Sequence, residues 1–231
     1  RYGMEYCMPE VGEPGSLRYE DLKEVAMGME QGILPVGNEG NLDGVLLTVI
    51  TGANQGGKST FLRSVGIAQV MLQSGMPVCA KRYRSGLYPS LFTHFTRRED
   101  SAMNSGRLDE ELRRMDKIVS CLQERSLLLL NESFATTTEK EGSAIAYDIV
   151  KALKEEGIRI LTVTHLTSFA QRLYEEMGDG KSGDTAFLSA QRLEDGSRTY
   201  KQLPHVPEQT SFGLELYAEV MGIDPLESDE G

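Results

Sequence analysis

Nine consecutive residues, Gly52-Ala53-Asn54-Gln55-Gly56-Gly57-Lys58-Ser59-Thr60, fit the pattern G-x-x-x-x-G-K-[ST]. Gly56 and Gly57 let the backbone curl so that successive amide N–H groups converge on one point, a nest for anionic oxygens. A helix starting there adds unpaired N–H groups and the positive end of its dipole. In that setting Lys58 reaches the β- and γ-phosphates of a nucleotide, and the Ser59 hydroxyl is a ligand for Mg2+. Two later positions complete the chemistry. Asn131-Glu132 follows an apolar run at the place where hydrolases with this loop usually carry Asp-Glu, so Glu132 is the candidate general base or water-orienting group. Thr164-His165 ends another apolar run and brings an imidazole to the same cleft, where it can donate to a γ-phosphate oxygen. His94 and His205 lack such a setting and are expected to be structural or at the surface.

Asn131 stands out among these. Its amide can hydrogen-bond a metal-bound water but adds no negative charge. A unit charge at ~4 Å in a partly solvated site is worth up to ~4 kcal/mol of attraction, before desolvation is subtracted. Asn131 therefore predicts weak metal binding or slow turnover.

These residues need a frame. Val45-Leu46-Leu47-Thr48-Val49-Ile50 reads as a buried strand entering the glycine loop, and Phe61, Val65, Ala68 and Leu72 mark one face of the helix leaving it. Residues 19–29 suit a short helix, residues 38–44 a polar turn, and Val78-Cys79-Ala80 a second short strand. Leu91-Phe92-Thr93-His94-Phe95 reads as a strand. After it Leu108, Leu112, Met115, Val119 and Leu122 form an apolar helical stripe, with Glu110 facing Arg113 and Arg114. Leu127-Leu128-Leu129-Leu130 is apolar on both faces, as a central parallel strand should be. Residues 139–156 predict an amphipathic helix with Ile145, Ile149 and Ala152 or Leu153 inward. Residues 158–164 predict another buried strand and residues 168–177 a helix. A flexible loop at 178–184, a hairpin over 187–193 and 199–203, and a last helix at about 213–220 are expected after it. Alternating strands and helices predict an α/β P-loop fold, a largely parallel central sheet flanked by helices with the hairpin as an accessory.

Composition narrows the classes. With 231 residues, one glycine loop of this kind and no internal repeat, one large domain is favoured. The net charge of −11 is wrong for a surface that grips phosphate backbones, so contact with nucleic acid is expected to fall mainly outside this chain. Cys7, Cys79 and Cys121 form no C-x-x-C pair and read as free thiols in a reducing compartment, which with the lack of a signal peptide or a membrane-length apolar run predicts a cytoplasmic protein. The chain begins at Arg1, as a piece of a longer protein would.

Several motifs then occur in one order. The stretch from Thr51 to Thr60 is similar to TGPNMGGKST, with Ala53 and Gln55 as departures. Phe92-Thr93, Ser105-Gly106-Arg107, the strand ending in Glu132, and Thr164-His165 follow. Thr199-Tyr200-Lys201 and then Ser211-Phe212-Gly213, similar to an S-[YF]-G motif, come last. On these residues the chain resembles the ATPase domain of the MutS family of DNA mismatch repair proteins from about Asn38 to Gly222. The resemblance implies an ABC-type, Mg2+-dependent ATPase of slow turnover, working as a homodimer in which nucleotide state drives closure and the switching of a DNA clamp. It divides the chain into a lead-in at 1–37, readable as the end of an upstream domain, the ATPase domain at 38–223, and an acidic tail at 224–231 expected to be disordered. ATP on one loop would be capped by the partner's signature segment, marked here by Ser105, Gly106 and Arg107, with Thr137 and Thr138 near the dimer seam. Where the family continues Ser-Thr after Gly-Arg, this chain has Leu108-Asp109, and Asn131 replaces an aspartate. These departures place it in a divergent MutS-like branch.

Other classes remain to be weighed. An ATP-binding switch with little or no hydrolysis suits Asn131 and Leu108. A P-loop small-molecule kinase suits the size but not the signature at Ser105-Gly106. A GTPase lacks an Asn-Lys-x-Asp segment, and a transporter ATPase lacks an LSGGQ run. No aromatic near Ile33-Leu34-Pro35-Val36 offers itself to a base.

Overall fold

The computed structural model describes residues 4–96, 106–178, 181–193 and 195–207. In chain order the elements are β1 (Glu10–Val11), β2 (Leu17–Leu22), α1 (Val25–Gln31), β3 (Asn38–Asn41), β4 (Leu47–Thr51), α2 (Lys58–Gln73), β5 (Arg82–Ser85), β6 (Leu91–Phe95), α3 (Arg107–Val119), β7 (Leu127–Asn131), α4 (Glu139–Glu155), β8 (Arg159–Val163), α5 (Thr167–Met177), β9 (Thr185–Arg192) and β10 (Arg198–Pro204). Among the described residues this is an α/β protein with two sheets. The larger runs β10-β9-β4-β8-β7-β6 and the smaller β1-β5-β2-β3. In the larger sheet β4 pairs parallel with both β8 and β9, β7 pairs parallel with β8 and β6, and β10 pairs antiparallel with β9. No helix among the described residues is long and apolar enough to cross a membrane.

Burial explains the sheet. Leu127 and Leu129 join one apolar cluster with Phe61, Leu62, Val65 and Leu72 of α2, while Leu128 and Leu130 join a second with Val150 of α4 and Phe169 and Leu173 of α5. Alternate side chains of a strand point to opposite faces, so a strand covered by helices on both sides must be apolar throughout. Each fully buried leucine contributes about 1.5–3 kcal/mol. The two sheets are bolted together by Arg159, 2% exposed at the head of β8. Its guanidinium donates to the carbonyls of Gly15 (2.9 Å) and Leu42 (2.5 Å) and to the Tyr88 hydroxyl (3.0 Å).

Several sequence expectations are corrected. Residues 19–22 are strand, not helix: Leu17, Tyr19 and Leu22 are buried and Tyr19 pairs with Tyr83 of β5, so α1 starts only at Val25. The polar turn at 38–44 contains β3, which pairs with β2. Val78 makes a single bridge to Cys7, and the strand lies four residues later at β5, where exposed and buried positions alternate. The hairpin is no accessory, because β9 continues the large sheet beside β4. On α3 the stripe holds in part: Met115 is buried and Leu108 and Leu122 pack against the core, but Glu111 also faces inward while Leu112 and Val119 are exposed. Arg113 there pairs with Asp109 (2.8 Å). On α4 Leu153 is buried as expected, but Ala146, Tyr147 and Val150 are buried with it while Ile145 and Ile149 are only partly covered. The expected helix at 213–220, the tail and the Ser211-Phe212-Gly213 motif lie outside the described residues.

Candidate functional site

β4 delivers the chain to Thr51 and α2 takes it up at Lys58, leaving Gly52 to Gly57 as the loop between. Gln55 and Gly57 have φ of 62° and 83°, the left-handed region that glycine adopts without strain. Gly57 caps α2 with no side chain, so the first N–H groups of the helix are left for another acceptor. At Gly56 space decides the residue: a Cβ there would lie 2.6 Å from the Ala190 Cβ of β9. The loop is braced from β10, where the Gln202 amide donates to the Gly56 carbonyl (3.0 Å) and Arg198 donates to the Gln55 side chain (2.9 Å). Lys58 is buried and donates to the carbonyls of Gly52 (2.7 Å) and Ala53 (2.9 Å). Burial pulls its ammonium below the usual lysine range, and the Glu132 carboxylate pushes it back up.

Glu132 follows β7 with φ of 54° and faces the same cleft as Lys58 and Ser59. One carboxylate oxygen accepts from the His165 backbone N–H (3.2 Å) and touches Nδ1 of its ring. That contact holds the His165 imidazole above its ordinary value, against partial burial. His165 is not part of the cleft wall; it reaches the cleft through Glu132. The cleft measures about 500 Å3 and is lined by residues 54–60 of the loop and helix, including Asn54, Gln55, Gly56, Gly57, Lys58, Ser59 and Thr60.

Other sequence-selected residues lie elsewhere. Asn131 is not on the cleft wall; its side-chain oxygen is buried with no hydrogen-bond partner. Gly106 and Arg107 open α3 at an exposed position outside the cleft, and Ser105 lies outside the described residues. Thr138 caps α4, accepting from the Glu141 N–H (3.4 Å), and Thr137 donates to the Glu141 carboxylate. His94 is fully buried and His205 exposed.

The same cleft has a further lining, in which the segment considered for a base gains the aromatic that sequence reasoning missed. Met27, Ile33, Leu34, Pro35 and Val36 make an apolar shelf, and Tyr200 supplies the aromatic. Tyr200 sits where the β9–β10 register shifts, with φ of 59°, and its ring packs beside Gly57. Bulges of this kind re-aim a side chain beside a site. Asn38 fixes it in place, donating to the Tyr200 carbonyl (3.3 Å) and accepting from the Gln202 N–H (2.7 Å). The motif around Tyr200 was visible in the sequence, but not the doubling back of β10 that carries it to the loop.

Known proteins are similar to this chain in sequence. The family of MutS domain V matches residues 48–225. An endonuclease MutS2 of Streptococcus pneumoniae is 34% identical over 118 residues, 51% of this chain and 15% of that protein. A DNA mismatch repair protein MutS of Thermotoga petrophila is 35% identical over 123 residues, 53% of this chain and 16% of that protein. The chain therefore matches only a small part of the length of these relatives. The domain V match takes in the glycine loop, Glu132, His165 and Tyr200 together, and on it this chain belongs to the MutS family.

Proposed function

We propose that this chain is the ATP-binding and hydrolysing domain of a MutS-type protein: an ABC-type P-loop ATPase that closes as a homodimer and so switches DNA contacts made mainly by regions outside it. The observation that carries the reading is a single cleft lined by Lys58, Ser59 and Glu132 together with the Ile33 to Val36 shelf and Tyr200. An anion nest beside an apolar, aromatic wall suits a molecule with a phosphate tail and a flat base. The net charge of −11 favours DNA contacts elsewhere, and the relatives' names, a mismatch repair protein and an endonuclease, agree with DNA as the partner. A cytoplasmic setting fits the free thiols.

The donor set fits Mg2+ held through a nucleotide. No group of three or more His, Cys, Asp or Glu side chains is gathered for a metal among the described residues, which leaves the Ser59 hydroxyl, phosphate oxygens and water as ligands. In this reading the Asn131 oxygen, buried behind the cleft wall and without a partner, would accept from such a water once the turn after β7 admits it. When bound, the ion neutralises charge on the β- and γ-oxygens. In this reading the loop N–H groups and Lys58 bind the phosphates, Glu132 orients the attacking water and takes its proton, and His165 holds Glu132 in place. In this reading Gly106, Arg107, Thr137 and Thr138 belong to the surface that meets the partner subunit.

Asn131 favours a second reading, an ATP-binding switch that closes with little hydrolysis. Light scattering with ATP and Mg2+, wild type against Glu132→Gln, tests both. The variant should accumulate as the closed pair, while wild type should return to monomer as it releases phosphate. Wild type that also stays paired and releases none supports the switch. If neither form associates, the dimeric reading fails.

A further inference from the structure

Helix α3 turns the wrong residue inward. Its apolar spacing would bury Leu112 and Val119, yet these are 36% and 44% exposed, while Glu111 is 5% exposed. Buried carboxylates are rare unless paired, so the rotation calls for a reason. One Glu111 oxygen accepts from the Thr136 hydroxyl (2.8 Å); the other is buried with no hydrogen-bond partner. Burial pushes the Glu111 carboxyl above its usual range.

The same residue grips a second point through its backbone. Nε2 of His94 lies 3.1 Å from the Glu111 carbonyl oxygen, and Nδ1 lies 2.7 Å from the Ser133 hydroxyl. A carbonyl only accepts, so Nε2 carries the proton and the neutral ring accepts at Nδ1 from Ser133. The His94 ring also stacks on Phe134 (centroids 5.6 Å apart). Glu132 and Phe134, on either side of Ser133, both have positive φ (54° and 64°), a strained backbone that persists only when its surroundings over-determine it. Thr136 on one side and the His94–Ser133 bond on the other supply that constraint, and both end on Glu111.

We propose that Glu111 is a positioning residue for Glu132: it locks the segment from Glu132 to Thr136 to the helix that begins at Gly106 and Arg107. Displacement of that helix would then be felt at the water-orienting carboxylate. The inference rests on the reading of Glu132 given above, and it gives the exposed start of α3 a mechanical route to the cleft.

The test uses the full chain with Glu111→Leu, Glu111→Gln and Thr136→Val. The side-chain nitrogen resonances of His165 report where Glu132 sits without any turnover. Glu111→Leu and Thr136→Val should move those resonances and lower phosphate release at least tenfold, with nucleotide affinity within twofold of wild type. Glu111→Gln, which still accepts from Thr136, should restore most of both. A purely structural role would lower nucleotide affinity and melting temperature in step with the rate. The proposal is overturned by unmoved His165 resonances in Glu111→Leu, or by losses that merely follow stability. Wild-type phosphate release by Glu132→Gln would instead sink the reading of Glu132, while moved resonances in Glu111→Leu would still support the tie.

Discussion

Two histidines flank the exit of β7, and they are used in opposite ways. His94, on β6, is fully buried, and its ring accepts from Ser133 and donates to the Glu111 carbonyl. Burial, helped by the Arg114 guanidinium, holds it below its ordinary value and therefore neutral. His165, after β8, has a side chain 53% exposed and rests on Glu132, which holds it above its ordinary value. One ring is a strut and the other a clamp. The residues they grip are adjacent in sequence, so the turn after β7 has a fixed side toward the core and an adjustable side toward the cleft. Burial and partner, not residue type, decide which is which.

The largest expected effect comes from exchanging strut and clamp for apolar side chains. His94→Leu removes a hydrogen bond on each side of the ring and its stacking on Phe134, while Ser133 keeps its bond to the carbonyl of residue 94 (3.1 Å). Two hydrogen bonds at ~0.5–1.5 kcal/mol each and the ring contact at ~0.5–1.5 kcal/mol give an expected loss of about 2–4 kcal/mol in urea unfolding. His165→Ala, at an exposed position, should change stability by no more than about 0.5 kcal/mol while slowing phosphate release. Equal destabilisation by the two would break the contrast. The next effect is smaller and concerns the residue between them. Asn131→Asp places a carboxylate where the amide oxygen already lacks a donor. Without Mg2+ it should destabilise by about 1–3 kcal/mol. With nucleotide present it should tighten Mg2+ binding about tenfold, ~1.4 kcal/mol. Unchanged Mg2+ affinity by calorimetry would remove Asn131 from the metal's surroundings.

The fixed side of this turn was harder to read in the sequence than the adjustable one. Strand β4, helix α2 and the leucines of β7 were legible because their signals are local: an apolar run, a helical spacing, a glycine loop. Glu132 and His165 could be placed at one cleft in advance because parallel strands end on the same edge, though not in contact with each other. The strut depends on how α3 is rotated, and there the apolar stripe misled. It included Leu112 and Val119, which are exposed, whereas packing turned Glu111 inward beside the expected Met115. Tyr200 was hidden for another reason, since its role in the wall depends on the bulge in β10. The small sheet was missed because Arg82 and Arg84 alternate with the buried Tyr83 and Ser85, so no hydrophobic run announces β5.

The smallest expected effect separates the two rings most cleanly. In an NMR titration of the nucleotide-free protein, His165 should titrate above its ordinary value near 6.5 and His94 below it. Linkage then gives their stability contributions opposite slopes. For His165 the folded value is raised, so its contribution is complete below the unfolded pKa and is lost as pH rises through the folded one. For His94 the folded value is lowered, so the unfolded chain takes up a proton first as pH falls, and stability drops from about 6.5 downward toward the folded value. His165→Ala should therefore flatten the alkaline side of a stability–pH curve and leave the acid side intact. A curve whose acid limb flattened instead would mean that His165, not His94, is the ring kept neutral by its surroundings, and the roles assigned to strut and clamp would have to be reversed.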